Sequence, residues 1–118
     1  MFASNFKELE VWQLARELTK DIYLQTSSLY FKKDYSLIDQ IRRASISVSS
    51  NIAEGYDRNN PKEFRRFLSF SKASAAEVQS QLILANDLAY IDYKHFTILE
   101  EKCLKLMNKI GKLMSTLN

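Results

Sequence analysis

The sequence predicts an all-α fold, an antiparallel up-down-up-down four-helix bundle, and three observations carry that expectation. Glycine and proline are scarce, two and one in 118 residues, whereas an all-β chain needs turn residues every ~8–12 positions. Apolar residues recur at steps of three and four along most of the chain, the period of an amphipathic helix. The connections after the second and third periodic segments are short, which makes neighbouring helices antiparallel. A chain of this length buries roughly two thirds of its unfolded surface. One domain over residues 1–118 therefore needs neither a disulfide nor a structural metal.

The first helix is expected from Leu9 to Thr26, with Val11, Ala15, Leu18 and Ile22 stepping along one side beside Trp12 and Thr26. The following "SSLYFKKDYS" has no periodicity and reads as a loop. The second helix is expected to start at Ser36, where Ser36 with Asp39 resembles a capping box, and to run to Tyr56. Its apolar face holds Leu37, Ile41, Val48 and Ile52. "DRNNP" is the next turn: Asn60 suits an N-cap, Pro61 the first helical position, and Glu63 completes the cap. The third helix is long, from Pro61 to Ala89, with a stripe from Phe64 through Leu68, Ala75 and Leu82. "YIDY" breaks it, and Asp92 is the next N-cap. The fourth helix carries Phe96, Leu99, Cys103, Leu106, Ile110 and Leu117 on one side.

Formal net charge is +3 and the isoelectric point about 9.0. Residues 1–60 hold eight basic and eight acidic side chains, while residues 61–118 hold nine and six. The excess lies in the second half and leans toward anionic partners. The lone Cys103 cannot form an internal disulfide, which fits a reducing compartment. The opening "MFASNFKELEVW" lacks a basic region followed by an apolar core, so no signal peptide is expected. No apolar run approaches the ~18–20 residues that span a bilayer. A cytoplasmic location without membrane association follows as the expectation.

The stretch "RRASISVSSNIAEG", Arg42–Gly55, is unusual for a helix. On a wheel, Leu37, Ile41, Ala44, Val48, Ile52 and Gly55 share the core face. Arg43, Ser47, Ser50 and Glu54 fall within about 60° of one another, bordered by Asn51. Arg43 and Glu54 are roughly 16 Å apart along the axis, too far to pair with each other. An antiparallel third helix turning near Arg58 would bring Arg43 level with Ser74 and near Glu77, and Glu54 near Arg66. The pairs Arg43–Glu77 and Glu54–Arg66 are the expected staples, within the bundle or between subunits. The alternative is a phosphate or nucleic-acid site. A mid-helix serine cluster offers no free backbone N–H groups to an anion, which counts against it for the serines but not for Arg42.

"QIRRASISVSSNIAEGYDR" closely resembles the signature of the four-helix-bundle proteins encoded by intervening sequences within bacterial 23S ribosomal RNA genes. Gln40, Arg42, Arg43, Ala44, Ser47, Asn51, Ile52, Ala53, Glu54 and Gly55 match that pattern. "LEVWQLARELT" resembles the family's first helix, and "FRRFLSFSKASAAEVQSQL" its third. The resemblance implies a four-helix bundle without established enzymatic activity. The family is also similar to the accessory variability protein of diversity-generating retroelements, a ring-shaped homopentamer that binds nucleic acid. That likeness implies a homopentamer here, with RNA or DNA as a partner.

Two basic clusters are candidates for contact with nucleic acid. Lys102, Lys105, Lys109 and Lys112 span about 80° of the fourth helix, and such a ladder suits phosphates. It equally suits a solvated helix face with cations near the C-terminus. Arg58, Lys62, Arg65 and Arg66 cluster at the turn between the second and third helices, where surface ion pairs are the commoner use. A second apolar strip on the third helix (Phe70, Ala73, Leu84, Leu88) suits a neighbouring helix or a protein partner. One His and one Cys build no zinc site within one subunit, and no Gly-rich phosphate loop or nucleophile–base pair is present. The expectation is a non-enzymatic protein without cofactor or metal. The alternative to nucleic-acid binding is a structural or protein-interaction module.

Overall fold

In the computed structural model, residues 3–31 and 33–117 are described. Four helices follow one another: α1 (Glu10–Thr26), α2 (Tyr35–Asp57), α3 (Pro61–Asp87) and α4 (Tyr93–Ser115), after a 3-10 turn at Phe6–Glu8. Each helix packs on the next, and α4 closes back on α1. The fold is the expected all-α four-helix bundle, 43 Å along its longest axis. The apolar stripes meet in a shared core in which Ala15, Ile22, Ile41, Val48, Ile52, Leu68 and Ile110 are fully buried.

Polar side chains start three of the helices. Asp34 accepts the Leu37 N–H, Asn60 that of Glu63, and Asp92 that of His95. Each satisfies one of the N–H groups that a helix start leaves unpaired. The start of α2 therefore differs from the expected Ser36. Asp34 already holds the N–H of the first turn, and Asp39 is engaged one turn on by Arg43. The end of α3 differs too. The helix stops at Asp87, and Ala89 adopts a left-handed φ of 60°. The Tyr90 N–H then returns to the Ala85 carbonyl at 2.9 Å.

The loop "SSLYFKKDYS" hides a core residue. Phe31 is buried and packs 5.3 Å from the Tyr90 ring. The Tyr90 hydroxyl donates to Asp34 Oδ2 at 3.0 Å. The α1–α2 and α3–α4 loops are thus tied together at one end of the bundle.

Small residues bring α2 and α3 close. Ser71 Oγ donates to the Val48 carbonyl at 2.7 Å, and Ser74 Oγ to Ser47 Oγ at 2.9 Å. A Cβ on Gly55 would collide with the Phe67 Cβ. These contacts set a register with Ser47, not Arg43, level with Ser74. The residues of α3 opposite Arg43 therefore lie two to four positions further along than expected.

Candidate nucleic-acid interface

Candidate cations divide into those the fold consumes and those it leaves available. Arg42 belongs to the first group. Its Nε donates to Thr26 Oγ1 at 2.8 Å and its Nη2 to Ser27 Oγ at 3.2 Å, with the guanidinium 4.4 Å from the Tyr23 ring centre. It ties the end of α1 to α2, at the opposite end of the bundle from Arg58 and Lys62. Sequence periodicity carried no sign of this, since its partners lie in another helix.

The ladder on α4 splits in two. Lys102 Nζ reaches Glu17 at 2.9 Å and Asp21 at 2.6 Å, and Lys109 Nζ reaches Glu10 at 3.1 Å. The Lys102 hydrogen bond and charge hold the Glu17 carboxyl below its ordinary value. The hydrogen bonds that Lys102 donates to Asp21 and Glu17 in turn raise its amine. Lys105 and Lys112 are exposed and form no ion pair among the described residues.

Around the α2–α3 turn the cations converge. Arg58 sits 3.6 Å from Glu54 and 4.9 Å from the Phe67 ring centre. Arg66 pairs with Glu63 at 3.0 Å and lies over Phe67 and Phe70. Their shared hydrogen bond keeps the Glu63 carboxyl low and the Arg66 guanidinium high. Arg65 Nε donates to the Met114 carbonyl at 3.3 Å, near the end of α4. Lys62 is exposed and unpaired among the described residues. Lys62, Arg65 and Arg66 line an open cleft of about 530 Å³ with Ser69, Met114, Ser115 and Leu117.

The polar stripe of α2 is only partly an inter-helix network. Ser47, Asn51 and Ser74 come together: Asn51 Nδ2 donates to Ser47 Oγ at 2.9 Å, and Ser74 donates to the same oxygen. The expected pairs Arg43–Glu77 and Glu54–Arg66 do not form within the chain. Arg43 binds Asp39 at 2.9 Å, one turn away on its own helix, and its side chain is 76% exposed. Glu54 takes Arg58 and Arg66 takes Glu63. A partner one turn along the same helix is held close by the backbone, and these exposed side chains take it although the register brings Arg43 level with the residues around Glu77 and Glu54 with those around Arg66. Glu77 is exposed and makes no ion pair among the described residues.

Other chemistries lack their groups among the described residues. No three His, Cys, Asp or Glu side chains are placed to hold a metal. Burial pushes the Cys103 thiol up to about 12, away from thiolate chemistry. His95 is exposed and bonded to Asp92 at 2.7 Å. No helix is long and apolar enough to cross a membrane.

The fold resembles a crystal structure of a protein of unknown function from the S23 ribosomal protein family of Bacteroides thetaiotaomicron. The TM-score is 0.80 at 18% identity, over 88% of this chain and 97% of that one. No curated protein matches. The model of the 23S rRNA-intervening sequence proteins matches residues 7–112. With that match joined to the bundle and the Arg42–Gly55 signature, the chain belongs to the 23S rRNA-intervening sequence protein family.

Proposed function

We propose that this chain is a non-enzymatic, cytoplasmic, oligomeric protein that binds nucleic acid through its basic surfaces. One observation carries the reading. Lys62, Arg65, Lys105 and Lys112 form no ion pair among the described residues, while Lys102 and Lys109 are met by acids of α1. Cations without a fixed carboxylate release counterions when a polyanion binds. The likeness to the accessory variability protein favours a homopentamer. Glu77, which forms no ion pair among the described residues, and the exposed intrahelical pairs of Arg43, Glu54 and Arg66 are candidates for contacts between subunits.

Fluorescence anisotropy with RNA and DNA across a salt series tests the binding. Affinity that falls with salt supports it, and no binding at low salt overturns it. Light scattering after size exclusion tests the assembly, with about five times 13.8 kDa expected. A clean monomer overturns the pentamer.

A second reading, a protein-interaction module, is favoured by the outer face of α3. Phe70, Ile83 and Leu84, with Leu88 just past the helix end, are between 41% and 47% exposed there. A tight protein partner together with indifference to nucleic acid would establish it instead.

A further inference from the structure

Two clefts of about 530 Å³ each open side by side at the end of the bundle where α3 begins, and Leu117 lines both. Their chemistry differs. The first presents Lys62, Arg65 and Arg66, three- and four-residue neighbours on one face of α3. The second presents Tyr56, Asn59, Asn60 and Asp57 around the α2–α3 turn. One half is cationic. The other offers a phenol ring, two amides and a carboxylate.

The groups in each half retain unused capacity. Arg65 spends its Nε on the Met114 carbonyl, which leaves the two terminal nitrogens of a fork that fits phosphate oxygens. Lys62 adds a second cation one turn earlier. In the other half, Asn60 uses its side-chain oxygen to cap α3, and its amide nitrogen has no partner among the described residues. The Tyr56 ring is fixed at both ends: its hydroxyl donates to the Ala3 carbonyl, and it meets the Phe64 ring edge-on at 5.7 Å. Asn59 stands exposed at a left-handed φ of 53°. The Asp57 carboxylate repels a phosphate from this half and so gives the groove a direction.

We infer that the two clefts form one groove for a single-stranded polynucleotide, with a backbone phosphate on Lys62 and Arg65 and the adjoining base beside Tyr56, Asn59 and Asn60. The inference rests on the nucleic-acid reading above and deepens it. A fixed aromatic ring offers a stacking surface to any base, and amides can bond base edges. A base inside a duplex is already stacked and paired, so the groove favours single strands.

The test is anisotropy with one labelled RNA sequence, single-stranded and as a duplex, across a salt series. Lys62→Gln/Arg65→Gln should weaken single-strand binding about tenfold or more and lower the log–log salt slope by about 0.7, the share of one phosphate. Asn59→Gly, which suits the left-handed backbone, should weaken single-strand binding several-fold and leave the slope unchanged. Unaltered melting temperatures exclude a folding effect. Wild-type binding lost only in Lys105→Gln/Lys112→Gln overturns the groove but keeps the function. Equal affinity for duplex and single strand, or binding to phosphatidylglycerol vesicles instead of RNA, overturns the groove as drawn. Absence of any RNA binding removes the functional reading and the groove with it.

Discussion

The α2–α3 and α1–α4 seams solve the same packing problem with opposite materials. Between α2 and α3 the contacts are short: Gly55 under Phe67, Ser71 on the Val48 carbonyl, Ser74 on Ser47. Between α1 and α4, long side chains reach across, Lys102 to Glu17 and Asp21, and Lys109 to Glu10. Short buried links allow no adjustment, so they fix register. Long charged links bend and hydrate, so they tolerate change and respond to salt and pH. The first seam should therefore dominate stability and the second its dependence on conditions.

Gly55→Ala should have the largest effect, at the tight seam. Its new methyl meets the Phe67 Cβ, which is anchored to the α3 backbone. Overpacking of this kind costs about 1–3 kcal/mol, measurable by urea or thermal unfolding. A neutral result would mean that α2 and α3 separate easily.

Ser71→Ala should cost about 1 kcal/mol, the net worth of one buried hydrogen bond. The hydroxyl is fully buried and 2.7 Å from the Val48 carbonyl. Ser71→Val, which fills the space without a donor, should not restore the loss in chemical denaturation.

Lys102→Met should cost a few tenths of a kcal/mol, because the pair is partly exposed and screened by water. Its signature lies in pH. The folded Glu17 pKa lies below 4.5 and the folded Lys102 pKa above 10.5. The wild-type advantage is therefore present between those values. It is lost as pH falls through the lowered Glu17 pKa, or rises through the raised Lys102 pKa. Melting curves of the two proteins should converge in acid, and high salt should shrink their difference at neutral pH.

Arg43→Gln should be the mildest change for the isolated chain, since this exposed i,i+4 pair is of the kind worth little. Size exclusion sharpens the comparison. A variant that folds normally but changes mass would place Arg43 between subunits.

Core stripes and caps were legible in the sequence because they are local. Val11 to Ile22, Leu37 to Ile52 and Phe96 to Ile110 repeat with the helix, and Asn60 and Asp92 cap the turn beside them. Phe31 was not legible, because a lone buried aromatic in a loop has no period. The Asp34–Tyr90 link and the role of Arg42 were equally hidden, since each joins groups from different elements. At the candidate site the basic clusters could be read from composition. Which cations are spent could not, because the acids that meet Lys102 and Lys109 lie on α1, more than eighty residues away in sequence.

The sequence by itself determined four amphipathic helices, their order, most of their ends and the family signature of α2. These depend on hydrophobic period and on bonds within one turn of chain. Only the tertiary structure decided the α2–α3 register, the partners of Arg42 and Lys102, and the meeting of two clefts at Leu117. Side-chain partners across a seam depend on rotation and axial shift between helices. A shift of a few residues, invisible in the pattern of either helix, puts Ser47 rather than Arg43 opposite Ser74.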